Sequence, residues 1–160
     1  MQNITKNQLE NKLVPFLWFE KDLDKVVEYY QNIFKDNFKL LTLNEKQEAG
    51  RGEFQTGSIE IFGNKLDIMA AGPMFKFTEA ISFVINTEGQ EETDFYWNAI
   101  TTNGGQESRC GWCKDVYGLS WQIIPKELMS AMSDPDAEKR NYALSQMMQM
   151  GKIIIADLVK

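Results

Sequence analysis

Two stretches of this chain repeat the same order of apolar runs and breaks, and that repetition restricts the fold more than any other feature. Tyr30-Gln31-Asn32 falls on Tyr96-Trp97-Asn98 at a spacing of 66 residues, and Phe19 falls on Ile85 at the same spacing. Near the end of each stretch, Gly63-Asn64-Lys65-Leu66-Asp67-Ile68 falls on Gly118-Leu119-Ser120-Trp121-Gln122-Ile123 at a spacing of 55, so the second copy is the shorter one. A strand, a helix and three further strands can be read in each copy, which together predict an internal duplication.

In the first copy, the run at residues 13–19 is apolar and aromatic-rich, and it predicts a strand buried on both faces. Asp22 is expected to cap a helix whose apolar stripe is Leu23, Val26, Val27, Tyr30 and Phe34. Strands are predicted at 38–43, 54–62 and 65–71. A charged hairpin connection at 44–52 precedes the second of these, and a Gly63-Asn64 turn follows it. In the second copy a strand at 80–85 leads into a helix at 90–102, stopped by Gly104-Gly105. Short strands follow at 106–109, 112–114 and 119–124. The halves are therefore 12–71 and 75–125 of one domain spanning 12–125.

Residues 126–160 read as a helical extension packed on the same domain or on a partner subunit. A short helix covers 126–132, and Asp134-Pro135 opens another. Ala143, Leu144, Met147, Met148 and Met150 form an apolar stripe on it, and core filling is the commoner use of such a methionine-rich stripe. Gly151 breaks this helix before a last apolar segment at 153–159.

Composition narrows the function classes. A net charge of −6, with Lys139-Arg140 as the longest basic cluster, disfavours a nucleic-acid partner. No apolar stretch reaches the roughly 20 residues of a membrane helix, and the polar start MQNITKNQLENK lacks the apolar core of a secretion signal. The expected location is the cytoplasm. Cys110 and Cys113 form a C-x-x-C pair, but it precedes a turn between strands instead of opening a helix, and it lacks companions for a zinc site. They read as ordinary strand cysteines. The chain contains no histidine at all.

Three segments carry a resemblance to a known family. They are Pro15-Phe16-Leu17-Trp18-Phe19, the run from Gly72-Pro73-Met74 to Ile81-Ser82-Phe83, and Cys110-Gly111-Trp112-Cys113-Lys114-Asp115-Val116-Tyr117-Gly118-Leu119-Ser120-Trp121-Gln122-Ile123-Ile124-Pro125. Asp134-Pro135-Asp136 and Met150-Gly151-Lys152-Ile153 also fit. The chain resembles the PhnB-like, demethylubiquinone methyltransferase-like family of the vicinal oxygen chelate superfamily, which includes glyoxalase I, extradiol dioxygenases, and fosfomycin- and bleomycin-resistance proteins. The resemblance implies an α+β fold in which duplicated βαβββ units form mixed sheets enclosing a cavity, followed by the C-terminal helices.

Metal-dependent members of that superfamily hold a divalent ion with histidines from the first strand of each half and a glutamate from the final strand. Those positions fall here on Pro15, on Ala80 or Ile81, and on Gln122. The side chains of the first three offer no donor, and glutamine offers a neutral carbonyl oxygen. Asp67, opposite Gln122 in the duplication, is a lone carboxylate. No metal and no cofactor are therefore expected. The methyltransferase label is disfavoured because no strand–Gly-x-Gly–helix unit is present for the cofactor.

The leading expectation is a small-molecule binding protein without the usual metal, with a homodimer as its expected assembly. If position 15 faces inward, strand alternation brings Leu17 and Phe19 with it. Ser82, Val84, Asp67, Met69, Ser120 and Gln122 complete the expected ligand-binding set. A metal-independent enzyme acting on a small aromatic or oxo substrate is the first alternative, with Asp67 or Glu79 as a base if burial raised its pKa. A dimeric scaffold is the second. Whether the chain is catalytic is left open by its sequence.

Overall fold

Leu23, Val26, Val27, Tyr30, Ile33 and Phe34 all point to one side of helix α1 (Leu23–Phe34) and are buried. Burial of each such side chain is worth about 1.5–3 kcal/mol over exposure, which is why this short helix must lie on a sheet. In the computed structural model, which describes residues 12–50 and 52–160, the helix lies in the first of two units, Met1–Lys76 and Phe77–Lys160. The polar N-terminal stretch weighed above as a signal lies outside the described residues, apart from Lys12.

The first unit has strands β1 (Phe16–Phe19), β2 (Phe38–Leu43), β3 (Gln47–Ala49), β4 (Gly52–Ile61) and β5 (Asn64–Ala70). Their order is β1-β5-β4-β2, with β3 paired to β4. Only the β1–β5 pair is parallel. The tight turn joining β4 to β5 is made by Phe62 and Gly63, both with left-handed backbones (φ 51° and 74°), one residue earlier than the expected Gly63-Asn64, because Asn64 already pairs with Ile61.

The second unit repeats the plan. Strand β6 (Ser82–Thr87) leads into helix α2 (Gly89–Thr101), followed by β7 (Gln106–Glu107), β8 (Trp112–Lys114) and β9 (Ser120–Pro125). The order is β6-β9-β8-β7, again with one parallel pair, β6–β9. Neither sheet closes into a barrel. Apart from β3, the two units share their element sequence and strand order, which is the duplication in structural form.

Helices α3 (Lys126–Met132) and α4 (Ala137–Met147) follow, then a 3-10 turn at Ile155–Leu158. Leu128, Ile153 and Leu158 form a small core with Ile124 of β9, and Met132, Met147 and Met150 pack against it. The methionine stripe thus fills core in part, whereas Met148 stays 58% exposed. No helix among the described residues is long and apolar enough to cross a membrane.

Three local expectations change. The first strand is shorter than residues 13–19 and is buried on one face: Leu13 is 94% exposed and Phe16 57%, against 4% for Leu17 and 2% for Phe19. Its aromatic run conceals an ordinary alternation. Asp22 precedes α1 with a left-handed backbone (φ 57°) and makes no side-chain cap; its carbonyl accepts from Lys25 and Val26 instead. The charged connection at 44–52 contains the short strand β3, which extends the β4 edge.

Candidate functional site

Each sheet has one face under its helix and one face without a helix, and strand register assigns side chains to them. In the first unit Leu17 pairs with Ile68 and Phe19 with Ala70, all buried on the α1 side, where the Phe19 ring meets Tyr30 at 6.3 Å. Phe16 pairs with Asp67 and Trp18 with Met69 on the opposite side. In the second unit Ser82 pairs with Ser120 and Val84 with Gln122, while Ile85 and Ile123, both buried, alternate with them.

The eight residues expected to bind ligand therefore divide. Ser82, Val84, Ser120 and Gln122 share the helix-free face of the second sheet. Asp67 and Met69 lie on the helix-free face of the first. Leu17 and Phe19 do not join them, because they belong to the core beneath α1. Both β1 and β6 begin on the 66-residue spacing, so Ser82 and Val84 correspond to Phe16 and Trp18. Matching Pro15 to Ala80 shifts the alignment by one residue, and a one-residue slip exchanges the two faces of a strand.

On the first sheet, the Ser58 hydroxyl donates to Asp67 Oδ1 at 2.5 Å, and Lys65 Nζ stands 3.1 Å from the same oxygen. The Ser58 hydrogen bond, then Lys65, hold the Asp67 carboxyl below its ordinary pKa despite some desolvation. Beside this polar group, Trp18 donates its indole N–H to the Gly72 carbonyl at 2.8 Å and meets the Phe75 ring edge-on at 4.9 Å.

On the second sheet, Lys114, Ser120 and Ser82 form one row across β8, β9 and β6, and Trp112, Gln122 and Val84 form the next. Gln122 Nε2 donates to Ser82 Oγ at 2.8 Å, linking the rows. Ser120 is 1% exposed, and its hydroxyl has no hydrogen-bond partner among the described residues. Such an orphan is costly, by about 1–3 kcal/mol, unless something outside the protein pairs with it. Lys114 forms an ion pair with Glu79 at 2.5 Å.

The acid–base candidates lack the property that role requires. Glu79 is 67% exposed, and the Lys114 ammonium, helped by a backbone N–H, holds its carboxyl below the ordinary range. Asp67 is shifted in the same direction. A base poised near neutrality needs the opposite shift, which burial without a cation would supply. Trp112, Lys114, Ser58 and Lys65 are not singled out by the sequence. Counting alternate positions outward from Gln122 and Asp67 finds Lys65, but finding the rest requires the strand register.

Cys113 lies in β8 as expected, whereas Cys110 sits in the preceding turn with a left-handed backbone (φ 58°). Both are free thiols. Burial first, then the Asp115 and Glu107 charges, push the Cys113 thiol up to about 12. A thiol reagent such as DTNB at pH 8 is expected to label one cysteine in the native protein and the second only after unfolding. Rapid labelling of both would contradict this placement.

Among the described residues no three His, Cys, Asp or Glu side chains converge on a point where they could hold an ion. At the positions where the superfamily carries its ligands, Ile81 is 63% exposed just before β6, and Pro15 precedes β1 with its carbonyl accepting from the Asp67 N–H. Gln122 has its amide nitrogen committed to Ser82. This donor set does not fit a divalent cation, which seeks several anionic or imidazole ligands.

Paired βαβββ units with this strand order define a protein of the glyoxalase fold, in the vicinal oxygen chelate superfamily. Within it, residues 11–124 match the family described as 3-demethylubiquinone-9 3-methyltransferase, and the chain belongs to that family. The PhnB protein of Bacillus cereus, whose description carries the same family label, is 22% identical; the match covers 71% of this chain and 98% of that one, with a TM-score of 0.62. The fosfomycin resistance protein FosX of Mesorhizobium loti is 11% identical over 72% of this chain and 91% of its own, with a TM-score of 0.54. A mutant of FosX from Listeria monocytogenes, complexed with Mn(II) and 1S,2S-dihydroxypropylphosphonic acid, is 22% identical over 69% and 88%, with a TM-score of 0.52. No curated protein matches the sequence.

Proposed function

We propose that this protein binds a small organic molecule on the helix-free face of its second sheet and does so without the divalent ion used elsewhere in its superfamily. The observation that carries the reading is Ser120: a buried hydroxyl without a partner among the described residues, in a row with Lys114 and Ser82 and next to the Gln122 amide. Few, placed polar groups among apolar neighbours such as Val84 and Trp112 are what a ligand site requires. Asp67, held by Ser58 and Lys65, is the polar group on the helix-free face of the first sheet.

The FosX mutant bound to Mn(II) and a phosphonic acid shows what one protein of this fold accommodates. Here the donor chemistry supports the ligand part of that comparison and not the metal part. The family label names methyl transfer, but each sheet has one parallel pair and no glycine-rich strand-to-helix turn of the nucleotide-binding kind. The lowered pKa of Asp67 and Glu79 weighs against catalysis by either carboxylate. In this reading the protein works as a homodimer in the cytoplasm.

Thermal unfolding with quinones, aromatic antibiotics and α-oxo acids, in the presence of EDTA, tests the reading. A ligand at a hundred times its Kd stabilises by about 2.7 kcal/mol, a rise in Tm of roughly 5–10 °C for a chain of this size. The rise is expected to disappear in Gln122→Ala. Stabilisation that appears only when a divalent metal is added would count against it.

A further inference from the structure

Resting on that reading, we infer that the ligand of the second sheet is an organic anion, a carboxylate on an apolar or aromatic body, and that Lys114 is its counter-ion. Three donors stand in one row. Lys114 on β8 is opposite Ser120 on β9, which is opposite Ser82 on β6. Neighbouring strands are about 4.8 Å apart, so one carboxylate can span adjacent members of the row.

Each donor has a proton to give. Ser120 is 1% exposed, and its hydroxyl has no partner among the described residues. The Ser82 oxygen already accepts from Gln122 Nε2, which leaves its own hydrogen to donate outward. Lys114 brings the full charge. Its side chain is 29% exposed, so an ion pair with it is screened less than one in open water.

The polarity of this row is one-sided. The strand positions on this face, with Gln106 of β7 beside Lys114 among them, include no carboxylate. The negative partner comes from outside the sheet: Glu79, 67% exposed, on the segment leading into β6. A pair with so exposed a member is weakly held, because the carboxylate recovers its hydration on leaving. Glu79 therefore occupies the place of the ligand's charge, and an incoming carboxylate exchanges with it. The next row, with Trp112 and Val84, the latter 49% exposed, offers apolar surface for the body of the molecule.

The test compares 2-naphthoate with its neutral isostere 2-naphthamide, and benzoate with benzamide, by isothermal titration in EDTA. The acids are expected to bind at least tenfold more tightly than the amides. Lys114→Met should weaken the acids at least tenfold and leave the amides unchanged. Glu79→Gln, at an exposed position, should strengthen the acids several-fold without altering Tm. Ser120→Ala should weaken the acids while Tm holds or rises, since no partner among the described residues is lost. Equal binding of acids and amides, or indifference of the acids to Glu79→Gln and Lys114→Met, would overturn the anion assignment while leaving small-molecule binding intact. Binding of neither series would overturn the assignment, and the quinone and antibiotic arms of the thermal screen then decide the broader reading separately.

Discussion

Asp115→Ala is expected to lower stability by about 4 kcal/mol, or roughly 10 °C in Tm, the largest loss anticipated for a side chain outside the binding faces. Asp115 is 3% exposed in the turn between β8 and β9. One carboxylate oxygen accepts from the Tyr117 and Leu119 backbone N–H groups, at 2.9 and 3.0 Å, and the other from the Trp121 indole at 2.9 Å. Alanine strands these donors where water cannot replace the lost acceptor. Asp115→Asn keeps one oxygen and should lose less. Equilibrium urea unfolding of the two variants measures both; an alanine variant within about 1 kcal/mol of wild type would show that the turn is not organised around this group.

Gly105→Ala is the second large effect, about 3 kcal/mol. Gly105 joins the end of α2 to β7. A Cβ there would collide with the carbonyl oxygens of Ile100 and Lys114, both backbone atoms that cannot swing aside. Gly63→Ala is a useful contrast. There a Cβ meets open space and the cost is confined to the left-handed backbone, φ 74°, or about 1 kcal/mol. Thermal denaturation of the two variants separates close approach from backbone conformation. Equal losses would show that the neighbouring carbonyls shift to admit the Cβ.

The sequence carries the fold well because the duplication imposes the same apolar rhythm twice. The α1 stripe and the order of strands are local or periodic signals, and the turn after β4 is legible from Gly63 to within one residue. The site is less legible, since a ligand face depends on which of two alternating sets points away from the helix. Phe16, Leu17, Trp18 and Phe19 are all apolar, so β1 contains no polar residue to mark its outer face, and only comparison with β6 can decide it. That comparison hinges on Ala80 against Ile81, one residue. In β9 the alternation of Ser120 and Gln122 with Trp121 and Ile123 is plain, and there the two faces separate in the sequence itself. Lys114 and Trp112 carry no such signal, because only cross-strand register brings them beside Ser120 and Gln122.

In the proposed function the helix-free face of the second sheet binds an organic ligand through its own side chains, with no bridging ion. The most direct measurement is calorimetric titration of a ligand that raises Tm, into protein stripped with EDTA and into the same protein equilibrated with Mn(II). One Kd is expected for both preparations, with loss of binding in Gln122→Ala at unchanged metal content. Binding confined to the Mn(II)-equilibrated protein, with stoichiometric ion retained, would contradict it.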